Sequence, residues 1–221
     1  RNPATAADFE QNFAQIKPLM TANQAHFESA RCLFCYDAPC VAACPTGIVI
    51  PLFIKQIHSG NTNGAARTIY ESNYFGHACG KVCPTEVLCE GSCVYHHQGV
   101  PAIEIGRLQS FATSKAIEEN LSITSIPAPK GKKVAVIGAG PAGIACACEL
   151  SAAGVEVEVY EAKALGSGLT VYGVAPYKIT NEEALSELNY LQKQFGFKVH
   201  YNSPVSTAGD LQKLESGFDA I

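Results

Sequence analysis

The sequence lacks both an excess of positive charge and an apolar run long enough to cross a bilayer. Its 221 residues contain 16 Lys and Arg against 20 Asp and Glu, which gives a formal net charge of −4. Nucleic-acid phosphates select a basic face, so this balance predicts no nucleic acid as a partner. The most apolar segment, residues 134–150, is interrupted by three glycines and one proline, and it therefore predicts no membrane span. We expect a cytoplasmic protein.

The start of the sequence also lacks a signal-like segment, and its first residue is Arg1 rather than Met. At the other end, residues 218–221 have the pattern of an opening buried strand, and the sequence stops inside it. We therefore expect the chain to be a fragment of a longer protein.

Cysteine, by contrast, is abundant, with ten residues. The cytosol keeps thiols reduced, and clustered cysteines there usually serve metals or catalysis. Two of the ten, Cys146 and Cys148, fall in a helical pattern, where we expect small core residues. The other eight lie between Cys32 and Cys93, and this clustering indicates a metal site.

The eight clustered cysteines form two runs, each containing a Cys-Pro pair. The spacing is C-x2-C-x4-C-x3-C from Cys32 to Cys44, and C-x3-C-x5-C-x3-C from Cys79 to Cys93. Such intervals let neighbouring thiolates converge on one centre, and bacterial ferredoxins use a comparable run whose last cysteine serves the other cluster. The pattern favours two [4Fe–4S] clusters, with structural zinc, disulfides or free thiols as alternatives. Nearby histidines are expected to be solvated or hydrogen-bonded rather than ligands: His77, His96 and His97.

The apolar pattern changes at residues 120–132, which hold two prolines and a glycine and are predicted to be a linker. Before this linker, apolar residues recur at helical spacing in residues 6–31 (with a break at Pro18), 51–59, 64–72 and 102–119. The cysteine runs are predicted to be irregular loops, the second of which covers residues 79–93. After it, strands and helices alternate over residues 133–137, 141–153, 155–160, 181–195 and 197–201. Alternation of this kind predicts parallel strands joined by right-handed crossovers.

A glycine-rich turn follows the first predicted strand and opens a helix. Residues 138–143 match the pattern G-x-G-x-x-G, which permits a tight turn and close approach of a pyrophosphate. The helix N-terminus would supply amide donors to the phosphates. Glu161 ends the next strand, where a carboxylate would bind ribose hydroxyls. The predicted dinucleotide-binding residues are Gly138, Ala139, Gly140, Pro141, Ala142, Gly143 and Glu161.

The identity of the dinucleotide follows from charge and from electron counting. Glu161 would repel the 2′-phosphate of NADP, which leaves FAD or NAD. Nicotinamides give hydride whereas clusters accept single electrons, so a flavin is the usual converter and FAD is expected. The predicted fold is an α-helical ferredoxin-like iron–sulfur domain at residues 1–125, followed by an incomplete α/β Rossmann-type FAD-binding domain at residues 126–221.

These motifs resemble the N-terminal region of the dihydropyrimidine dehydrogenase family. The matching segments are CLFCYDAPC at 32–40, CPT at 44–46, CGKVCPT at 79–85 and IGRLQ at 105–109. The resemblance runs from about residue 25 to the end. Within that family, the sequence pattern most resembles the separate bacterial NAD-dependent subunit. Glutamate synthase small subunits are similar more distantly.

The resemblance implies ligand sets that spacing leaves open. One cluster would be held by Cys32, Cys35, Cys40 and Cys93. The other would be held by Cys44, Cys83, Cys89 and the side chain of Gln109. This pairing leaves Cys79 free, whereas spacing without the resemblance assigns Cys79 as the eighth ligand and Gln109 as an ordinary polar helix residue. The two assignments stay open here.

The resemblance also implies flavin contacts beyond the glycine turn, at Gly168, Leu169 and Lys178. Two departures from the family pattern occur there. The family's Gly-Gly-Leu is Ser-Gly-Leu at 167–169, and a family arginine is replaced by Lys178, which keeps the charge but loses the bidentate fork. In the family, an inserted NAD(P) domain lies further along, beyond Ile221.

The resemblance implies the electron-input module of an oxidoreductase. NAD(P)H would reduce FAD, and electrons would pass through two [4Fe–4S] clusters to a catalytic FMN-type subunit or domain that reduces a pyrimidine. The sequence offers no acid, base or nucleophile for substrate chemistry, so no catalytic residue is predicted, and the chain alone is not expected to turn over. We expect the full protein to work as an oligomer.

Two other interpretations are consistent with the motifs. Within the same enzyme class, the chain could be a glutamate synthase small subunit or another NAD(P)H:acceptor reductase, and the identity of its partner would separate these. From a different class, it could be a zinc-stabilised nucleotide-binding scaffold without a redox role. Colour separates that case, because zinc sites are colourless and clusters are brown.

Overall fold

The computed structural model describes residues 5–221, so residues 1–4 of the predicted first domain lie outside the described range. The first part of the chain is helical. Its helices are α1 (Ala6–Asn12), α2 (Ala22–Ala30), α3 (Pro39–Ala42), α4 (Ile50–His58), α5 (Thr62–Tyr70), α6 (Gly76–Val82), α7 (Val94–His97) and α8 (Ile105–Glu118). A 3-10 turn at Thr85–Val87 lies between α6 and α7.

The second part alternates strands and helices. Its elements are β1 (Lys133–Ile137), α9 (Pro141–Ala152), β2 (Glu156–Tyr160), α10 (Leu169–Tyr172), α11 (Asn181–Phe195), β3 (Lys198–His200) and α12 (Ala208–Gly217). Strand β2 pairs in parallel with β1 on one side and with β3 on the other. This arrangement confirms the predicted parallel sheet.

The segment around Pro18 separates α1 from α2, as the sequence predicts. Helix α2 begins after Thr21, whose hydroxyl accepts a hydrogen bond from the Gln24 amide at 3.3 Å. In return, the Gln24 side chain accepts one from the Thr21 amide at 2.9 Å. Reciprocal capping of this kind fixes a helix start, and it leaves residues 13–21 as a connecting segment.

One apolar core supports the first cysteine run and part of the second. Helix α4 buries Ile50, Phe53, Ile54 and Ile57 at helical spacing, and they pack in one cluster with Leu108 of α8. The cysteines that pack against this cluster are Cys32, Cys40, Cys44, Cys89 and Cys93. The helical core therefore holds the cysteine-bearing loops in place.

The second cysteine run is not a loop throughout, which corrects the prediction. Cys79 lies in α6, and Cys83 follows at the C-terminal end of that helix. Two glycines, Gly76 and Gly80, lower the helix propensity of this segment. Packing against α8 outweighs that cost, because Gly76 and Gly80 are both buried between the two helices.

A second apolar cluster joins the helical part to the sheet part. Tyr70 and Ala78 of the helical part share it with Leu188 and Leu191 of α11. The coil between the parts is also tied down, because the Tyr190 hydroxyl donates to the Leu121 carbonyl at 2.7 Å. The boundary between residues 125 and 126 stays a prediction.

The C-terminal residues extend the sheet beyond β1. Ala220 forms a parallel bridge with Val134, and its carbonyl accepts a hydrogen bond from the Ala135 amide at 3.0 Å. The prediction of a strand opening here is consistent with this pairing. The expectation of burial is wrong, because Ala220 and Ile221 are exposed.

Across residues 5–221, none of the helices combines the length and the apolar character that crossing a bilayer requires.

Candidate metal centres and nucleotide-binding turn

Four cysteines from three places in the sequence line one cavity, which we call the first cavity. They are Cys32, Cys35, Cys40 and Cys93. Cys40 lies in the short helix α3 and Cys93 at the start of α7. The rest of the lining is almost entirely apolar and includes Ile50, Ile54 and Ile103. The structure thus brings together the set that the resemblance implies for one cluster.

Two thiols of the first cavity, those of Cys32 and Cys40, are difficult to ionise. Burial, then the neighbouring Cys32 and Cys93, raises the pKa of Cys40 to about 11. Burial also raises the pKa of Cys32. Convergent thiols in an apolar lining favour a bound cation, because only the thiolate form binds metal and the cation stabilises that form. Four cysteines are the usual donor set of an iron–sulfur cluster, whereas among residues 5–221 no three His, Cys, Asp or Glu side chains are grouped so that they could hold a single metal ion.

The other cysteines line a second cavity together with polar side chains. Its possible ligands are Cys44, Cys79, Cys83, Cys89 and Gln109, and its other polar residues are Thr46, Asn73 and Thr85. Burial, then the carboxylate of Glu90, raises the pKa of Cys89 to about 12. The second cavity therefore brings together one more candidate ligand than a four-ligand centre requires.

Gln109 faces the second cavity from the middle of α8 and is 7% exposed. Its amide nitrogen donates a 2.6 Å hydrogen bond to the Gly76 carbonyl at the start of α6. This bond occupies the nitrogen end of the side chain. The oxygen, Oε1, is the end that can serve a metal, since an amide nitrogen has no lone pair for this purpose.

Cys79 lies in the same cavity but in a different chemical state. Its thiol donates a hydrogen bond to Cys83, and this bond together with burial raises the pKa of Cys79 strongly. The same bond lowers the pKa of Cys83. The interaction therefore favours Cys83 over Cys79 as the thiolate of this pair.

The glycine turn has the backbone geometry that its sequence predicts. Gly138 has φ +98°, and a Cβ at this position would have no neighbour within 4 Å. A Cβ at Gly143 would collide with the Gly138 carbonyl oxygen. Glycine at 138 thus permits the left-handed turn, and glycine at 143 permits the close approach of α9 to β1.

Glu161 is bound directly to this turn. It is buried, and its Oε2 accepts a hydrogen bond from the Ala139 amide at 2.8 Å. Its Oε1 accepts one from the Lys163 amide, also at 2.8 Å. A carboxylate offers about four lone-pair sites, so the same group can still accept hydrogen bonds from ribose hydroxyls.

The remaining predicted flavin residues differ in their placement. Gly168 approaches the Gly140 backbone closely and has φ +50°. Leu169 follows it at the start of α10 and is 76% exposed. Lys178 lies between α10 and α11 and is partly buried. Among residues 5–221, no hydrogen bond or ion pair joins the Lys178 side chain to the glycine turn.

Other residues also test the sequence analysis. His77 is buried and hydrogen-bonds Thr113 at 3.3 Å, outside the lining of both cavities. His96 and His97 are exposed. These placements agree with the expectation that the histidines are not ligands. Cys148 is buried as expected, whereas Cys146 is exposed, so its prediction as a core residue was wrong.

The sequence analysis missed a polar network between α6 and α11. Glu187 of α11 is fully buried, and its carboxylate accepts hydrogen bonds from the His77 amide at 2.6 Å and the Ala78 amide at 2.9 Å. Glu183, one turn earlier, forms an ion pair with the buried Lys81 at 2.5 Å. The capping-box pattern at Thr180 predicts the start of α11, but no local signal marks Glu187 as buried or Glu183 as the partner of Lys81.

The fold and the cysteine-lined cavities define a class of protein, in which a helical iron–sulfur domain precedes a nucleotide-dependent oxidoreductase domain. Residues 9–121 match the family described as dihydropyrimidine dehydrogenase domain II, 4Fe-4S cluster. Residues 132–217 match the pyridine nucleotide-disulphide oxidoreductase family. The chain belongs to the dihydropyrimidine dehydrogenase domain II family, which confirms the resemblance found in the sequence and its oxidoreductase class.

Individual relatives are similar over nearly the whole chain. The PreT subunit of NAD-dependent dihydropyrimidine dehydrogenase from Escherichia coli (strain K12) is 36% identical over 96% of this chain and 51% of its own length. The putative oxidoreductase UacF of the same strain is 33% identical over 98% of this chain and 34% of its own length. The glutamate synthase [NADPH] small chain of Escherichia coli (strain K12) is 32% identical over 95% of this chain and 44% of its own length. The chain therefore spans about half the length of these relatives, or less.

Proposed function

We propose that this chain is the electron-input module of a NAD(P)H-dependent oxidoreductase that contains flavin and iron–sulfur clusters. The observation that carries the proposal is the convergence of eight cysteines and Gln109 on two cavities, in a chain that also presents a dinucleotide-type glycine turn. Iron–sulfur clusters supply one-electron transfer when bound, and a flavin supplies the conversion from hydride to single electrons. The residues of this chain hold these groups and set their potentials.

The first cavity is proposed to hold one [4Fe–4S] cluster through Cys32, Cys35, Cys40 and Cys93. Four thiolates complete the usual ligand set of such a cluster. The apolar lining excludes water and leaves the cluster with few hydrogen-bond donors, and both factors influence its potential.

The second cavity is proposed to hold the other cluster through Cys44, Cys83, Cys89 and the Oε1 atom of Gln109. Two contacts support Gln109 over Cys79 as the eighth ligand. The hydrogen bond to the Gly76 carbonyl fixes the amide with its nitrogen occupied. The Cys79 thiol interacts with the neighbouring candidate ligand Cys83, which suits a residue that supports a ligand.

The sheet part is proposed to bind FAD as an incomplete Rossmann-type domain. The turn at Gly138, Ala139, Gly140, Pro141, Ala142 and Gly143 would hold the pyrophosphate at the N-terminus of α9. Glu161 would accept hydrogen bonds from the ribose of the FAD adenosine. Gly168, Leu169 and Lys178 would contact the flavin half of FAD. The exposed Leu169 side chain offers an apolar surface next to the turn.

In the whole protein, NAD(P)H would bind outside this chain, and electrons would leave for a catalytic FMN-type subunit or domain that reduces a pyrimidine. The 36% identity to a NAD-dependent dihydropyrimidine dehydrogenase subunit supports this assignment. A glutamate synthase small chain is the second candidate, because a relative of that kind is 32% identical over nearly the same residues. We further propose a cytoplasmic, oligomeric enzyme, since reduced cysteines suit cluster assembly.

Anaerobic purification with quantitation of iron, sulfide, zinc and flavin tests the proposal. Two [4Fe–4S] clusters correspond to about eight irons and about eight sulfides per chain. Cys35→Ala is expected to lower the content by about half through the first cavity, and Cys89→Ala by about half through the second. Cys146→Ala, an exposed cysteine outside both cavities, is the matched control and is expected to change nothing. Stoichiometric zinc without sulfide would contradict the proposal and leave the zinc-stabilised scaffold.

A further inference from the structure

The segment at residues 15–17 lies against both parts of the chain. The Ile16 amide donates to the Tyr177 carbonyl of the sheet part at 2.9 Å. The Gln15 side chain donates to Glu183 of α11 at 2.7 Å and accepts from Lys81 of α6, also at 2.7 Å. These contacts place the next residue, Lys17, against the wall of the second cavity.

The ammonium group of Lys17 is bound to two residues that line this cavity. It donates to the Thr85 hydroxyl at 2.7 Å and to the Cys83 carbonyl at 3.2 Å. Thr85 is 2% exposed, and Lys17 itself is partly buried. The positive charge is therefore held at a fixed position next to a candidate ligand.

Among the side chains that the structure describes, no carboxylate pairs with Lys17, unlike the neighbouring Lys81. Lys81 forms its ion pair with Glu183. No ion pair involves Lys17 among the residues that the structure describes, and its two acceptors are a hydroxyl and a carbonyl. The thiolates of the second cavity are therefore the negative groups that this charge can stabilise.

A fixed positive charge favours the reduced form of a nearby redox centre, because reduction adds one negative charge. Charge and hydrogen bonds around a cluster are among the factors that set its potential. The effect is larger in a partly buried site than in water, since the charge is less screened there. At the first cavity, the guanidinium of Arg31 lies 5.7 Å from the ring centre of Tyr95, a lining residue, but it is paired with the Glu28 carboxylate at 2.7 Å.

We propose that Lys17 is a positioning residue that raises the reduction potential of the centre in the second cavity, through its charge and through its hydrogen bond to the Cys83 carbonyl. The inference rests on the proposed function, because it requires a redox cluster in this cavity. If Lys17 has this role, the potential of the cluster in the second cavity depends on residues 15–17, the segment that contacts both parts of the chain.

Redox titration of the anaerobically purified chain, followed by EPR, tests this inference with three variants. Lys17→Gln keeps a hydrogen-bond donor but removes the charge, Lys17→Met removes both, and Lys17→Arg keeps the charge. Lys17→Gln and Lys17→Met are expected to make one cluster potential more negative. At a fixed solution potential, the ratio of oxidised to reduced cluster is expected to change about tenfold. This change corresponds to a shift of about 59 mV in the potential of a one-electron couple. Lys17→Arg is expected to restore the potential.

The matched control is Lys213→Gln, whose lysine side chain is 82% exposed in α12 and is expected to leave both potentials unchanged. Iron and sulfide are measured first in every variant. Unchanged potentials in Lys17→Gln with full iron content would overturn the role of Lys17 alone. A parent chain without iron and sulfide would overturn the proposed function, and with it this inference.

Discussion

The side chains that line the two cavities differ in hardness and in charge. The first cavity has four cysteines in an apolar lining, whereas the second combines cysteines with Gln109 and has Lys17 at its wall. An amide oxygen is a harder ligand than a thiolate and carries no charge. The proposed ligand sets therefore give the second cluster one negative charge fewer and a higher potential than four thiolates would.

Replacement of Gln109 tests this difference directly. Gln109→Cys is expected to retain iron in the second cavity but to make one potential more negative, because a thiolate adds a negative charge. Gln109→Ala is expected to lower the iron content or to shift the same potential, since it removes the ligand. Both variants are measured by iron quantitation and by EPR-monitored redox titration of the anaerobic chain.

Cys79→Ser is the matched control for these variants, because Cys79 lines the same cavity. A supporting residue can be replaced by a smaller hydrogen-bond donor with the iron retained. Loss of about half the iron in Cys79→Ser, together with unchanged clusters in Gln109→Ala, would assign Cys79 as the ligand instead.

Site residues whose type and spacing are themselves informative could be predicted from the sequence. Cysteine clustering predicted a metal site and the G-x-G-x-x-G pattern predicted a tight turn, whereas the grouping of Cys93 with the first run was implied by the resemblance and is seen in the first cavity. Gln109 became a candidate only through the resemblance. Glu187 and Lys17 could not be predicted, because their partners lie far away in the sequence: Glu187 accepts from an amide 110 residues away, and Lys17 donates to a hydroxyl 68 residues away.

At the scale of elements, α6 connects the second cavity to α11. Its N-terminal amides, at His77 and Ala78, donate to the buried Glu187 carboxylate. Its C-terminal end carries Cys83, and Gln109 binds the carbonyl of its first residue. A carboxylate at a helix N-terminus satisfies amide groups that have no partner within the helix. Glu187 thereby positions the helix from which two residues reach the second cavity.

The pH dependence of stability provides a prediction at this scale. Burial raises the pKa of Glu187 to about 8, against an unfolded value near 4.5. Folding therefore binds a proton between these values, and the stability contributed by Glu187 is lost as pH rises towards about 8. The ionisable side chains that interact with Glu187 are those of Tyr70 and Cys79, whereas His77 contacts it through its backbone amide.

His77 has the opposite effect, but at lower pH. Burial lowers its pKa from 6.5 to about 4, so its stabilising contribution is lost as pH falls below about 6.5. Of these two groups, only Glu187 makes folding stability depend on pH above about 6.5. We expect the thermal midpoint of the anaerobic chain to fall between pH of about 6.5 and about 8.

Glu187→Gln is the matched variant for this measurement. The amide side chain of this variant cannot ionise, so the thermal midpoint of the variant should stay constant over the pH range in which that of the parent chain falls. At the lower pH the variant is expected to be less stable by about 1–3 kcal/mol, because its NH2 group faces an amide donor that then has no acceptor. An equal pH slope in the parent chain and the variant would contradict the assignment of the slope to Glu187.

Elements with strong local signals could be predicted, and those formed by packing could not. Helix α11 spans Asn181–Phe195, as predicted, because a capping box starts it and Gly196 with φ +76° ends it. Helix α6 was predicted to be part of an irregular loop, because two glycines conceal it. Its burial against α8 and α11 decides its structure, and that is a tertiary effect.

At the scale of the whole molecule, the helical part and the sheet part share one apolar cluster and one polar network. The order of the two parts follows from composition along the chain, and it was predicted correctly. Their contact could not be predicted, because it depends on which face of α11 meets α6. Electron transfer between a flavin and a cluster requires closeness, and this shared core keeps the proposed sites in a fixed arrangement.

Native mass spectrometry of the anaerobically purified chain tests the central claim most directly. The account predicts an added mass equal to two [4Fe–4S] clusters, lowered by one cluster in Cys35→Ala and by the other in Cys89→Ala. An added mass of one or two zinc ions, or an unmodified chain that is folded at neutral pH, would contradict the account.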